Sequence, residues 1–268
     1  EEEGEDDYDE GCFIELNGDA KQGYKEAPAG VAPPRFVLVI DEINRGDLSQ
    51  IFGELITLLE QDKRLGQPNE TTVHLSHSGE PITLPPNLYL IGTMNTADRS
   101  IALVDAALRR RFSFHEFPPA MDIVHAKYGF DSENDVREAA AQDQTAFKTL
   151  IARSILAVSA MNRRIITESD LTRGRQIGHT YLLGLDDGEV DEIVSTWKFE
   201  LFPLLEEYYY GDIPRLRADV FNEQVGTETG AQPFDSVFDA DLNTLTDFDA
   251  SDLDQALNRF LEREGVLE

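Results

Sequence analysis

Phe36-Val37-Leu38-Val39-Ile40 is an unbroken apolar run rich in β-branched side chains. Such a run predicts a strand buried on both faces, the habit of parallel sheets. Residues 88–91 read as a second buried strand of the same kind. Between the two, Leu48, Ile51, Phe52, Leu55, Leu58 and Leu59 recur at helical spacing, so 48–63 is expected to form one amphipathic helix. Asp47 can cap it, with Gln50 three residues on. Residues 73–75 and 82–84 flank Ser78-Gly79-Glu80-Pro81 and predict a hairpin. Ser100 can cap a helix running to about Arg110, and Phe112-Ser113-Phe114 alternates as a short strand. After Pro118-Pro119 the pattern turns helical, with apolar faces over 145–164, 189–209 and about 250–263. Residues 1–10 read as a solvated acidic run, and 11–34, poor in apolar residues and closing on Ala32-Pro33-Pro34, as loop.

This pattern divides the chain into an acidic lead and loop (1–34), an α/β core (35–118), a helical domain (119–215) and an acidic extension (216–268). At 268 residues, with 41% hydrophobic and 28% charged positions, the chain can bury a sizeable core. No apolar run approaches the roughly 20 residues that a membrane helix needs. Cys12 is the single cysteine, so no internal disulfide can form and a reducing cytoplasm is the expected setting.

Charge narrows the partners. Asp and Glu total 52 against 23 Lys and Arg, a net charge of −29, which disfavours wrapping nucleic acid or an anionic membrane with the general surface. The cations are 17 Arg and 6 Lys. A chain that has nearly dispensed with Lys while adding acids fits a salt-rich, halophilic cytosol, where self-repulsion is screened; an acidic protein of an ordinary cell is the alternative. Residues 36–118, with 11 acids and 7 bases, are the block closest to neutrality, and they hold the chemistry.

The first strand runs directly into Asp41-Glu42. Carboxylates at the carboxyl end of a parallel strand point into the crevice where such sheets bind ligands. Two adjacent acids there suit nucleoside-triphosphate hydrolysis, one holding Mg²⁺ and the other taking a proton from the attacking water. An exposed acid pair at a strand end is the plainer reading. The second strand leads into Thr93-Met94-Asn95-Thr96-Ala97-Asp98-Arg99-Ser100. If the strands are parallel neighbours, Asn95 arrives at the same edge as Glu42, where a neutral amide can orient water without competing for its proton. Otherwise Asn95 and Asp98 only shape a loop. Arg109-Arg110-Arg111 closes the next predicted helix. Arginines there complement the helix dipole, but three exceed that need, and one reaching across a subunit interface can offset charge on a transferring phosphoryl group.

FVLVIDEINRG, MNTADRS and ALRRRF, in this order and spacing, resemble the AAA+ ATPase superfamily, and more narrowly the McrB-type motor subunits of McrBC modification-dependent restriction systems. The likeness extends over about 35–212, through Gly178-His179-Thr180-Tyr181 and the segment LFPLLEEY at 201–208. It implies a partial AAA+ three-layer parallel-sheet domain followed by an α-helical lid. It also implies that Asp41 is the Mg²⁺ acid and Glu42 the catalytic acid, with Asn95 sensing the water. Asn44, Asp98 and Arg99 are further nucleotide-contacting candidates, and Arg110 and Arg111 the trans-acting fingers, Arg109 not being separable from them. The implied activity is hydrolysis of GTP or ATP in a ring, usually a hexamer, that activates a McrC-like nuclease and moves DNA. IDEINR is shared with MoxR-like chaperones; MNTADRS argues against that assignment.

One departure matters. The sequence contains no G-x-x-x-x-G-K-[ST], the loop whose backbone cradles phosphates. Gly18-Asp19-Ala20-Lys21 lacks its spacing. Three expectations compete: a part of a longer or split protein, a truncated product, or a degenerate interaction subunit that does not hydrolyse. The five histidines show no zinc-ligand spacing with cysteine, and Trp197 and Tyr208-Tyr209-Tyr210 read as core.

Overall fold

The computed structural model describes residues 10–95, 106–169, 171, 173–186, 188–223, 231–239 and 244–267. They form two compact units, 1–115 and 116–268.

In the first unit, β1 (Phe36–Ile40) pairs in parallel with β4 (Leu88–Gly92), Phe36 facing Leu88 and Ile40 facing Gly92. A short antiparallel hairpin, β2 (Val73–His74) and β3 (Pro81–Ile82), lies between them in sequence. Alternate side chains of β1 and β4 turn to opposite faces. Phe36 and Leu88 pack in a cluster with Leu58, and Ile40 and Leu90 in a second one with Phe52, Leu59 and Leu108, while Leu38 on the same face is half-buried. Val37, Val39, Tyr89 and Ile91 lie opposite one another on the other face and are exposed, Val39 at 61%. The expected burial of both faces fails on this side, because no described residue covers it.

Residues 11–34 are not all loop. Glu10–Glu26 form α1, in which Phe13, Leu16 and Ala20 recur at helical spacing and pack on Phe36, Leu84 and Leu88. Gly18-Asp19-Ala20-Lys21 lies inside this helix. Nor is 48–63 one helix. α2 (Leu48–Phe52) starts on Asp47, whose carboxylate accepts from the Ser49 and Gln50 amides. It stops at Gly53, which turns to φ 44 and breaks the α-type ladder. The chain continues as tighter 3₁₀ turns over Gly53–Leu59 and Gln61–Lys63. Arg64, buried, donates to the carbonyls of Leu58, Leu59, Pro85 and Leu88, tying these turns to the start of β4. α3 covers Ala106–Arg109; Ser100, its expected cap, lies outside the described residues. Phe112–Phe114 is not a strand, since no strand among the described residues pairs with it; Phe112 instead packs its ring against Phe52 at 6.2 Å.

The second unit is helical: α4 (Met121–Lys127), α5 (Glu133–Ala140), α6 (Phe147–Thr167), α7 (Val190–Thr196), α8 (Phe202–Tyr208), α9 (Ile213–Asp219) and α10 (Ala250–Arg263). α7 and α8 are joined by a π turn over Trp197–Leu201, in which the Phe202 amide reaches back to the Trp197 carbonyl. Pro203 follows at once and cannot donate, which accounts for the widened turn. Trp197 is fully buried and donates to Ser154 Oγ at 2.9 Å. Phe202 sits edge-on to Phe221, Phe234, Phe238 and Phe248. The phenylalanines of the acidic extension complete this core, while a capping box of Asp249 and Asp252 starts α10.

Candidate functional site

The parallel register carries both strand ends to one rim. Beyond the Ile40–Gly92 pair, the Thr93 amide donates to the Ile40 carbonyl at 3.0 Å, and the Ile43 amide to the Thr93 carbonyl at 2.9 Å. Asp41 and Thr93 thus stand side by side. The Thr93 hydroxyl donates to Asp41 Oδ1 and accepts from the Glu42 amide at 3.0 Å. Sequence reading included Thr93 in its motif but gave it no role. Its signal is a β-branched hydroxyl residue one step past the strand.

Glu42 holds φ 48, ψ 45, the left-handed region that a non-glycine residue occupies at a cost of roughly 1–2 kcal/mol. Such strain is characteristic of side chains held for a task. The bend leads into a 3₁₀ turn, Ile43–Arg45, and Ile43 is buried beneath the rim. Gly92 allows this: a Cβ there would lie 2.8 Å from the Ile43 side chain. The Glu42 carboxylate is paired with Arg45 Nε, an exposed contact between residues three apart that a ligand can displace.

Asn44 is buried, 7% exposed, and its Nδ2 donates to the Asn95 carbonyl at 3.3 Å. Its Oδ1 is buried without a hydrogen-bond partner. Asn44 therefore fixes the backbone of Asn95 relative to β1. Asp41, Thr93 and Asn95 are exposed. Asp41, Glu42, Asn44 and Asn95 share the rim; Asp98 and Arg99 lie outside the described residues.

The arginine triplet separates. Leu108 is fully buried against Ile43, Leu48, Phe52 and Leu59. Arg109 and Arg110 are exposed, Arg109 lying over the Phe114 ring at 5.6 Å. Arg111 is turned inward, its Nη2 2.6 Å from Glu60 Oε1. Lys63 stands 3.1 Å from the other Glu60 oxygen. Lys63, and then Arg111, hold the Glu60 carboxyl below the usual range. Sequence reading missed Glu60.

Among the described residues no cluster of three or more His, Cys, Asp and Glu side chains is placed to hold a metal. The rim's donors, the Asp41 carboxylate and the Thr93 hydroxyl, are all oxygen, and both are open to solvent. They fit Mg²⁺, which keeps several waters and takes its remaining ligands from phosphates.

Residues 18–112 match the AAA domain (dynein-related subfamily), and residues 153–217 match the McrB alpha-helical lid domain. The chain is 37% identical over 186 residues to the type IV methyl-directed restriction enzyme EcoKMcrB subunit of Escherichia coli K12, covering 66% of this chain and 38% of that protein. It is 35% identical over 88 residues to the type II restriction enzyme BsuMI component YdiS of Bacillus subtilis 168, covering 30% of this chain and 26% of that protein. The chain thus spans well under half the length of these relatives.

Proposed function

Because the chain belongs to the McrB-type AAA+ proteins, we propose that it supplies the Walker B, sensor and finger half of a GTP- or ATP-hydrolysing motor in a restriction system. The observation that carries this reading is the parallel pairing of β1 with β4, which sets Asp41-Glu42 beside Thr93 and Asn95. Asp41 and Thr93 would hold Mg²⁺, which when bound offsets charge on the β- and γ-phosphates. Glu42 accepts the proton of the attacking water as its oxygen bonds to the γ-phosphorus and the bridging oxygen leaves with the diphosphate. The Asn95 amide orients that water, and its backbone is held by Asn44. Asp98 and Arg99 are nucleotide contacts by family likeness. By family likeness Arg110 and Arg111 are the trans-acting fingers that offset charge at a neighbouring subunit's site. The assembly is a ring, taken as a hexamer, that works with a McrC-like nuclease and reaches DNA through the complex in the cytoplasm.

The Walker A loop comes from a further segment, in the same polypeptide or a separate one. The uncovered face of Val37, Val39, Tyr89 and Ile91 supports this, because parallel strands are stable with both faces packed. A second reading, a non-hydrolysing interaction subunit, is favoured only by the absence of G-x-x-x-x-G-K-[ST].

Without a backbone nest and its lysine, phosphate affinity is lost. The 268-residue chain alone is therefore expected to release phosphate from GTP or ATP at background. Joined to a segment that supplies the Walker A loop, it should turn over at about 1 s⁻¹ or faster, within the usual range of enzymes. Background rates in both preparations would favour the interaction subunit.

A further inference from the structure

The ladder between β1 and β4 slips by one residue at Glu42. Phe36 donates its amide to the Asn87 carbonyl at 2.9 Å, and Thr93 donates its own to the Ile40 carbonyl at 3.0 Å. A parallel ladder repeats every two residues, so the register from Phe36–Leu88 to Ile40–Gly92 assigns the Glu42 amide to the Thr93 carbonyl. That carbonyl instead accepts from Ile43, one residue later, at 2.9 Å. Glu42 is thus an extra residue, a bulge at the strand end, taken up by its left-handed φ of 48. The amide that the bulge releases donates to the Thr93 hydroxyl at 3.0 Å, and the same hydroxyl donates to Asp41 Oδ1. One side chain therefore replaces the missing ladder bond and engages both acids.

We propose that Thr93 is a positioning residue for Glu42: its hydroxyl captures the amide freed by the bulge and so fixes the direction in which the Glu42 carboxylate leaves the strand. This rests on the motor reading above, in which Glu42 is the base, and it is separate from any bond between Thr93 and Mg²⁺. Valine has the same branched shape but can neither accept from the Glu42 amide nor donate to Asp41. The left-handed bend then loses the bond that holds it, and a misplacement of about 1 Å at a reacting centre costs on the order of 100-fold in rate.

The test uses the assembled protein joined to a Walker A segment. Thr93→Val and Thr93→Ala should each lower kcat about 10- to 100-fold, with far-ultraviolet circular dichroism unchanged. The loss should persist as Mg²⁺ is raised to saturation. Thr93→Ser restores the hydroxyl and should recover most of the loss. The decisive arm is a double-substitution cycle with Glu42→Gln, read as single-turnover phosphate release. Once the base is gone Thr93 has nothing left to aim, so Glu42→Gln with Thr93→Val should stay within about 3-fold of Glu42→Gln alone, whereas independent losses multiply.

If the two losses multiply, or if added Mg²⁺ returns Thr93→Val to the parent rate, Thr93 does not act through Glu42, and the inference is overturned with the motor reading intact. Thr93→Ser as slow as Thr93→Val overturns it as well, because the hydroxyl then carries no weight. If the unsubstituted assembly does not turn over, or Glu42→Gln keeps the full rate, the motor reading or its base falls first, and this inference with it.

Discussion

Glu42→Gln in the assembled protein is expected to lower hydrolysis about 10²- to 10⁴-fold, the usual contribution of a positioned general base, while nucleotide stays bound. Glutamine matches glutamate in shape, so the left-handed bend at 42 and the hydrogen bond from its amide to Thr93 Oγ1 persist. The amide oxygen can still accept from Arg45, which pairs with the carboxylate in the free protein. What it cannot do is take up a proton at neutral pH. Asp41 and Thr93 are untouched, so affinity for the magnesium nucleotide should be unchanged. Phosphate release and retention of a fluorescent nucleotide, measured on the same preparation, separate the two quantities. Rates within about 3-fold of the parent would remove Glu42 from the role of base, since such a group contributes far more.

Asp254→Ala is expected to cost about 3–5 kcal/mol of stability in the helical unit, the penalty for leaving one member of a buried ion pair without its partner. Asp254 on α10 lies 2.8 Å from Arg153 Nη1 on α6, and both side chains are about nine-tenths covered, at 10% and 8% exposure. Arg153 also donates to the Ala140 carbonyl at 2.8 Å and the Gln142 carbonyl at 2.9 Å, and the Thr145 hydroxyl donates to Asp254 at 3.1 Å. Removing the carboxylate leaves a guanidinium that water cannot reach. Replacing both members, as Arg153→Met with Asp254→Leu, should recover most of the loss, because apolar residues of similar volume often do as well as a buried pair. Urea unfolding of the chain, followed by far-ultraviolet circular dichroism, measures both. A loss under about 1 kcal/mol for Asp254→Ala would mean that the unit relaxes to admit water.

Much of the site could be read from the sequence because its signals are local. An apolar strand ending in two acids and another ending in Thr93–Asn95 fix which residues meet once the strands are parallel, and period-two alternation does the rest. The uncovered face could not be read this way. Val37 and Val39 look like core in any window, and whether a face is covered depends on chain elsewhere. The helix over 48–63 failed at Gly53, where apolar spacing continues but backbone geometry does not. α1 escaped notice because Gly18, Gly23 and many polar residues dilute a real Phe13-Leu16-Ala20 stripe. In the acidic extension, net charge masked five buried phenylalanines, Phe221, Phe234, Phe238, Phe248 and Phe260. Glu60 was invisible for another reason: its partner Arg111 lies some fifty positions on, and nothing local announces the pair.

One rim, made by β1 and β4, is expected to cut the phosphate bond. A structure of the assembled protein with Mg²⁺, a nucleoside diphosphate and aluminium fluoride tests it most directly. One water should be held between Glu42 and Asn95, in line with the fluoride that mimics the transferred group. A fluoride bound away from that rim, or Glu42 and Asn95 too far apart to share a water, would contradict it.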